Sequence, residues 1–143
     1  MSVYLRSSLV LLLVVGGCRK KHEIKADTRD AGDIPHEIAV SELQKHLPTA
    51  DSVVCTLPKE SLKPSEIKEW AIGSDRVTLK TTQDKLFPLV YGEIRALQMA
   101  QSGRTFMVMV FTTAQKDKEH YQFIWRRQES AYRALELFEA LRK

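Results

Sequence analysis

From Leu9 to Val15 the chain is unbroken apolar, LVLLLVV, and the basic trio Arg19-Lys20-Lys21 stands a few positions later. No other feature limits the fold as strongly, because this one divides the chain. Seven apolar residues fall far short of the roughly 20 that a helix needs to cross a bilayer. The run is also followed at once by polar, charged sequence and not by a fold that would bury it. A positive start with Arg6, a short apolar centre and the small residues Gly16 and Gly17 at its end read as a signal peptide. Whatever folds must come from the residues behind it.

The end of the run, Val15-Gly16-Gly17-Cys18, resembles the lipobox of bacterial lipoproteins, with Val at the first position where Leu is commoner. The resemblance implies that residues 1–17 are removed and that Cys18 becomes the first mature residue. It would then carry diacylglycerol through a thioether, which makes Cys18 the lipidation site. Small residues let a peptidase grip the extended chain, and only a thiol gives the thioether. Two or more acyl chains anchor durably where one is marginal. The residue after Cys18 is Arg19 and not Asp. By resemblance to Gram-negative sorting, that implies the outer membrane's periplasmic face; in a Gram-positive cell the same signal implies the outer face of the cell membrane. The expected location is the bacterial cell envelope.

Residues 18–40 hold the lipidated Cys, Gly32, Pro35 and few apolar side chains, and no aromatic one. They read as a flexible tether. A coil of that length has a root-mean-square reach of roughly 25 Å, which would let the folded part hover above the membrane. Residues 41–143 then form a single domain. Of the whole chain, 43 % is apolar, enough for one core, and the formal net charge is only +4. So mild a charge excludes a strongly basic nucleic-acid tail, and no nucleic-acid partner is expected of an exported chain. Two Cys exclude a disulfide framework.

Within the domain, Ser41 to Leu47 reads as a short helix capped by Ser41 and stopped by Pro48. Short apolar segments follow, with turn signals between them: 52–57 up to Pro58, 67–72, 76–80 after the Gly73-Ser74-Asp75 turn, and 85–90, where Pro88 marks an edge. Residues 91–101 fit either a helix or one turn followed by a strand at 95–100. The short length and the strands around them favour the second. Thr105 to Thr112, TFMVMVFT, reads as a central strand, and 120–126 as its antiparallel partner. Gln128 to Arg142 is the clearest helix, with Ala131, Leu135, Phe138 and Leu141 on one side.

This order yields about seven short antiparallel strands and a closing amphipathic helix. An α+β fold is expected, a small strongly bent antiparallel sheet or partly open barrel plugged by the C-terminal helix. Three stretches carry a resemblance to the pleckstrin-homology-like (PH-like) fold: Ile72 through Lys80, Pro88 through Met99, and Phe123 through Leu141. It extends over roughly residues 50–143. Its members bind phosphoinositides or peptides or act as scaffolds, and lipid-headgroup members place basic residues between the first two strands. Here that loop, 58–66, holds Lys59 and Lys63, with Lys68 just beyond, but Glu60 and Glu66 offset them.

Chemistry is sparse. His22, His36, His46 and His120 are too scattered for a metal site, and no Gly-rich phosphate loop occurs. No metal or cofactor is expected. Cys55 lacks a CxxC partner or a neighbouring His, so it reads as a buried inert thiol. An enzyme would need His120 and Glu119 to converge with Cys55 or Asp117, and that is not expected. Tyr121, Phe123 and Trp125 form an aromatic stripe that suits a core or a ligand groove.

The expected function is therefore a lipid-anchored, non-enzymatic envelope protein, a binding or scaffold module for another envelope protein or peptide. Its candidate surfaces are the lysines Lys59, Lys63 and Lys68, the methionines Met107 and Met109, and the aromatic stripe. The alternative is a small hydrophobic ligand or lipid in a pocket lined by Trp125, Phe123 and Met109.

Overall fold

The computed structural model describes residues 21–142. The leader at 1–17 and Cys18 lie outside the described residues. Nine strands and two helices follow one another: β1 His22–Ile24, α1 His36–His46, β2 Ser52–Thr56, β3 Lys59–Leu62, β4 Ile67–Ile72, β5 Arg76–Thr81, β6 Leu86–Val90, β7 Ile94–Ser102, β8 Thr105–Thr112, β9 Tyr121–Trp125 and α2 Gln128–Leu141.

These strands do not form one bent sheet or a barrel. They form a six-stranded sheet in the order β1-β7-β8-β9-β2-β3 and a separate three-stranded sheet, β4-β5-β6. Neither sheet closes on itself, which overturns the expectation of a single seven-stranded, partly open PH-like barrel with a helix in its mouth. The reason lies at two corners. Between β3 and β4 the chain makes a 3-10 turn at Pro64–Glu66. Pro64 has no N–H to continue a ladder, and the Glu66 carboxylate accepts the Lys63 backbone N–H at 2.8 Å. Between β6 and β7 the chain makes a second 3-10 turn, Tyr91–Glu93, where the Tyr91 backbone N–H donates to the Asp75 carbonyl at 3.0 Å. Each corner moves the chain from one sheet to the other, so β4, β5 and β6 pair only among themselves. Residues 91–101 thus take the turn-plus-strand form, and Pro88 does sit on an edge strand.

The two sheets and both helices share one core. Strand β9 lies between β8 and β2, and its alternate residues Tyr121, Phe123 and Trp125 are 1 %, 1 % and 2 % exposed. The Phe123 ring stands 5.5 Å from Phe138 of α2 and 6.5 Å from Trp70 of β4. The Tyr121 hydroxyl donates to the Pro88 carbonyl of β6 at 2.6 Å, a polar tie between the sheets. The helix α2 is not a plug: its Ala131, Ala134, Leu135, Phe138 and Leu141 lie on the inner face of the six-stranded sheet. Helix α1 packs on α2 through Ala39 and Leu43, and the Gln44 amide donates to the Ile72 carbonyl at 2.8 Å.

The described part of the tether is not free. His22–Ile24 pairs antiparallel with Met99–Gln101 of β7. Ala31 is buried, and α1 begins at His36 after Pro35, five residues before the expected Ser41 cap. An i, i+4 row of Ala39, Leu43 and Leu47, all fully buried, is what extends the helix backwards. The core therefore reaches N-terminal of residue 41.

Candidate functional site

Alternation along β8 and β9 sorts the expected surface residues onto two sides. Tyr121, Phe123 and Trp125 point inward with Val108 and Val110. Met107 and Met109 point to the outer face, where their cross-strand neighbours are Ile124 and Gln122. The aromatic stripe is core, and a pocket lined jointly by Trp125, Phe123 and Met109 does not form. The three lysines do not share an element either. Lys59 opens β3, Lys63 precedes the Pro64 turn, and Lys68 lies in β4, where its ammonium is 3.6 Å from Asp84.

The groups with chemical potential are likewise engaged. His120 is buried, and its Nδ1 is 2.8 Å from the Thr112 hydroxyl. Burial holds its pKa below the ordinary histidine value, so the ring is neutral. The Cys55 thiol, packed among core residues and cross-strand from Tyr121, has its pKa pushed up by burial and stays protonated. Glu119 turns to the outer face. Its carboxylate accepts from the Gln122 amide and from Lys21 Nζ, the latter at 3.3 Å. Burial works against that charge, but its own backbone N–H, Gln122 and Lys21 together hold its pKa below the usual carboxyl value. Asp117 is exposed in the loop before it. No group of three or more His, Cys, Asp or Glu suited to a metal ion occurs among the described residues.

The concave surface lies elsewhere. A cleft of about 570 Å³ opens between α2 and the segment that leaves β1, bounded by Ile24, Met99 and Tyr132 with Lys25, Glu129 and Arg133 at its rim. The Tyr132 hydroxyl closes one side by donating to the Asp27 carbonyl. The Arg133 guanidinium is spent on Glu42 and Glu136. A second hollow of about 130 Å³ shares Ile24, Lys25, Ala26 and Met99 with the first and adds Leu97, Gln98 and Leu135.

These hollows exist because β1 is short. Strand β7 runs for nine residues, and β1 covers only Met99 to Gln101 of its outer edge. Beyond Ile24 the chain departs toward α2, leaving Ile94 to Gln98 with no strand partner on that side among the described residues. An open strand edge offers backbone N–H and C=O groups to an added strand, and adjacent hollows receive its alternate side chains. Sequence reasoning missed this site. His22-Glu23-Ile24 has no strand signature of its own, and only the polar row Glu129, Tyr132, Arg133, Glu136 beside the apolar stripe of α2 hinted at a lined groove.

No helix among the described residues is long and apolar enough to cross a membrane. Comparison with protein-family models, with curated proteins and with solved structures gives no match.

Proposed function

We propose that the protein is a lipid-anchored, non-enzymatic module of the bacterial cell envelope, most simply the periplasmic face of an outer membrane, and that it binds an extended segment of another envelope protein. The half-open edge of β7 supports this reading most directly, because it joins unpaired backbone groups to two adjoining hollows of mixed character. The lipobox-like Val15–Cys18 supplies the anchor. The neutral, satisfied His120, the protonated Cys55 and the ion-paired Glu119 fit a structural use of those groups better than a catalytic one.

A photo-crosslinking amino acid at Gln98 tests the reading in intact envelopes. A discrete adduct at Gln98, absent when the same group replaces Thr78 on the three-stranded sheet and weakened in a Cys18→Ala protein, is the expected result. Equal adducts at both positions, or none at either, would remove the edge as a binding site. A second reading, a small amphipathic ligand in the 570 Å³ cleft, rests on a volume within the usual range for such sites. Its test is a Tyr132→Ala protein, which would lose the ligand while keeping the Gln98 adduct.

A further inference from the structure

Strand β1 enters the six-stranded sheet at one edge, with His22 opposite Gln101. Yet the ammonium of the preceding residue, Lys21, lies 3.3 Å from Glu119, whose carboxylate is held by Gln122 of β9. Two strands, β7 and β8, separate β1 from β9. Three strand spacings amount to about 14 Å, more than a lysine side chain spans. The chain at Lys21 has therefore already turned over the outer face of the sheet. Ala100 and Met107 of that face are 2 % and 3 % exposed, while Met109, Phe111 and Ile124 are half-buried. Among the described residues, both helices and the three-stranded sheet pack on the opposite, inner side.

Cys18 is three residues before Lys21, so covalent geometry keeps it within about 11 Å of the Lys21 Cα. The described chain at 21–24 is thus held on the sheet, and the leash from it to Cys18 is only three residues long. The outer face of the sheet is apolar and has cations at its rim. The Arg95 guanidinium sits 5.4 Å from the Phe111 ring centre and donates to the Lys116 carbonyl, and Lys116 and Lys118 of that loop are exposed. In sequence, Arg19 and Lys20 follow Cys18 directly and carry two more positive charges.

We infer that the outer face of the six-stranded sheet, through its half-buried Met109, Phe111 and Ile124, docks on the membrane surface that holds the acyl chains of Cys18. The inference rests on lipidation of Cys18. Docked in this way, the β7 edge runs along the membrane plane and the three-stranded sheet points away from it. The Lys21–Glu119 pair fixes the leash, and the basic rim meets anionic headgroups.

The test uses the full lipidated protein in vesicles of phosphatidylethanolamine and phosphatidylglycerol, with intact mass measured first. An environment-sensitive dye is placed on Met109→Cys, and separately on Thr78→Cys. Acyl-spin-labelled lipid is expected to quench the dye at 109 by about twofold, as for side chains at the headgroup–acyl boundary, and to leave the dye at 78 unchanged. Glu119→Gln is expected to weaken the quenching at 109. An unmodified Cys18 would overturn the proposed function together with this docking. A lipidated protein with no quenching at 109 would overturn the docking alone. So would a dye at 109 already shielded in detergent, which would mark cover by the chain's own residues, or a 109–109 crosslink, which would mark a second copy on this face.

Discussion

Replacing Phe123 by Ala removes a ring of the six-stranded sheet that faces both α2 and the three-stranded sheet. Phe123 is 1 % exposed and stands 5.5 Å from Phe138 of α2, 6.5 Å from Trp70 of β4 and 6.0 Å from Tyr121 on its own strand. Its neighbours are anchored separately: Tyr121 by its bond to Pro88, Phe138 by the helix around it. They cannot collapse freely into the vacated space. The cost then lies at about 3–5 kcal/mol, the range for burying no ring where a fully enclosed one had been. Against a total stability of roughly 5–15 kcal/mol this is a large share. Urea unfolding followed by circular dichroism reads it directly in a Cys18→Ala background that stays free of lipid. With m near 1.5 kcal/mol/M, the midpoint falls by about 2–3 M. Phe123→Leu, which keeps most of the volume, is expected to lose under about 1.5 kcal/mol. A loss below about 1 kcal/mol for Phe123→Ala, with m unchanged, would mean that the two sheets and α2 do not meet at this ring.

Four further outcomes follow from the same structure. Tyr121→Phe deletes the hydroxyl that donates to Pro88 and is expected to cost about 1 kcal/mol in the same urea assay. Ala134→Leu forces a larger side chain into a fully buried position under α2 and is expected to cost about 1–3 kcal/mol. His120 is held neutral by burial, so its folded pKa lies below the ordinary 6.5 and the unfolded chain takes up the proton first; stability is full above pH 6.5 and falls as pH drops toward the folded value, and His120→Gln flattens that part of a pH–stability curve. Glu119 also has a lowered pKa, so its contribution is full above the ordinary 4.5 and is lost at lower pH; Glu119→Gln removes that late, more acidic loss and leaves the His120 step in place.

What the sequence made legible is what repeats locally. Alternation located Ile67–Ile72 and a continuous apolar run located Thr105–Thr112 to the residue, and the 3–4 spacing of Ala131, Leu135, Phe138 and Leu141 located α2 to within one position. These signals come from buried faces, and a buried face imprints its period on the chain. Pairing partners leave no such imprint. The pattern of 67–72, 76–80 and 85–90 is the same whether those strands join one curved sheet or stand apart. The decision falls to Pro64–Glu66 and Tyr91–Glu93, two three-residue turns whose effect is to aim the chain and not to bury it.

The N-terminal segment shows the other limit. His22–Ile24 is exposed or half-buried throughout, and it carries a His and a Glu in three residues. Nothing in it would form a strand alone. It is ordered by what it meets: the edge of β7 supplies backbone partners at Met99, Ala100 and Gln101, and Glu119, 98 residues further on, supplies a charge for Lys21. Such order is borrowed from distant parts of the fold, so low local hydrophobicity read as freedom. The consequence bears on function as well as on shape. A chain that is loose from Cys18 to Val40 would leave every face of the domain equally close to the membrane. On the reading proposed above, a chain pinned at Lys21 and paired by His22 leaves the edge of β7 half open and sets one apolar face on the side from which the lipidated Cys18 would come.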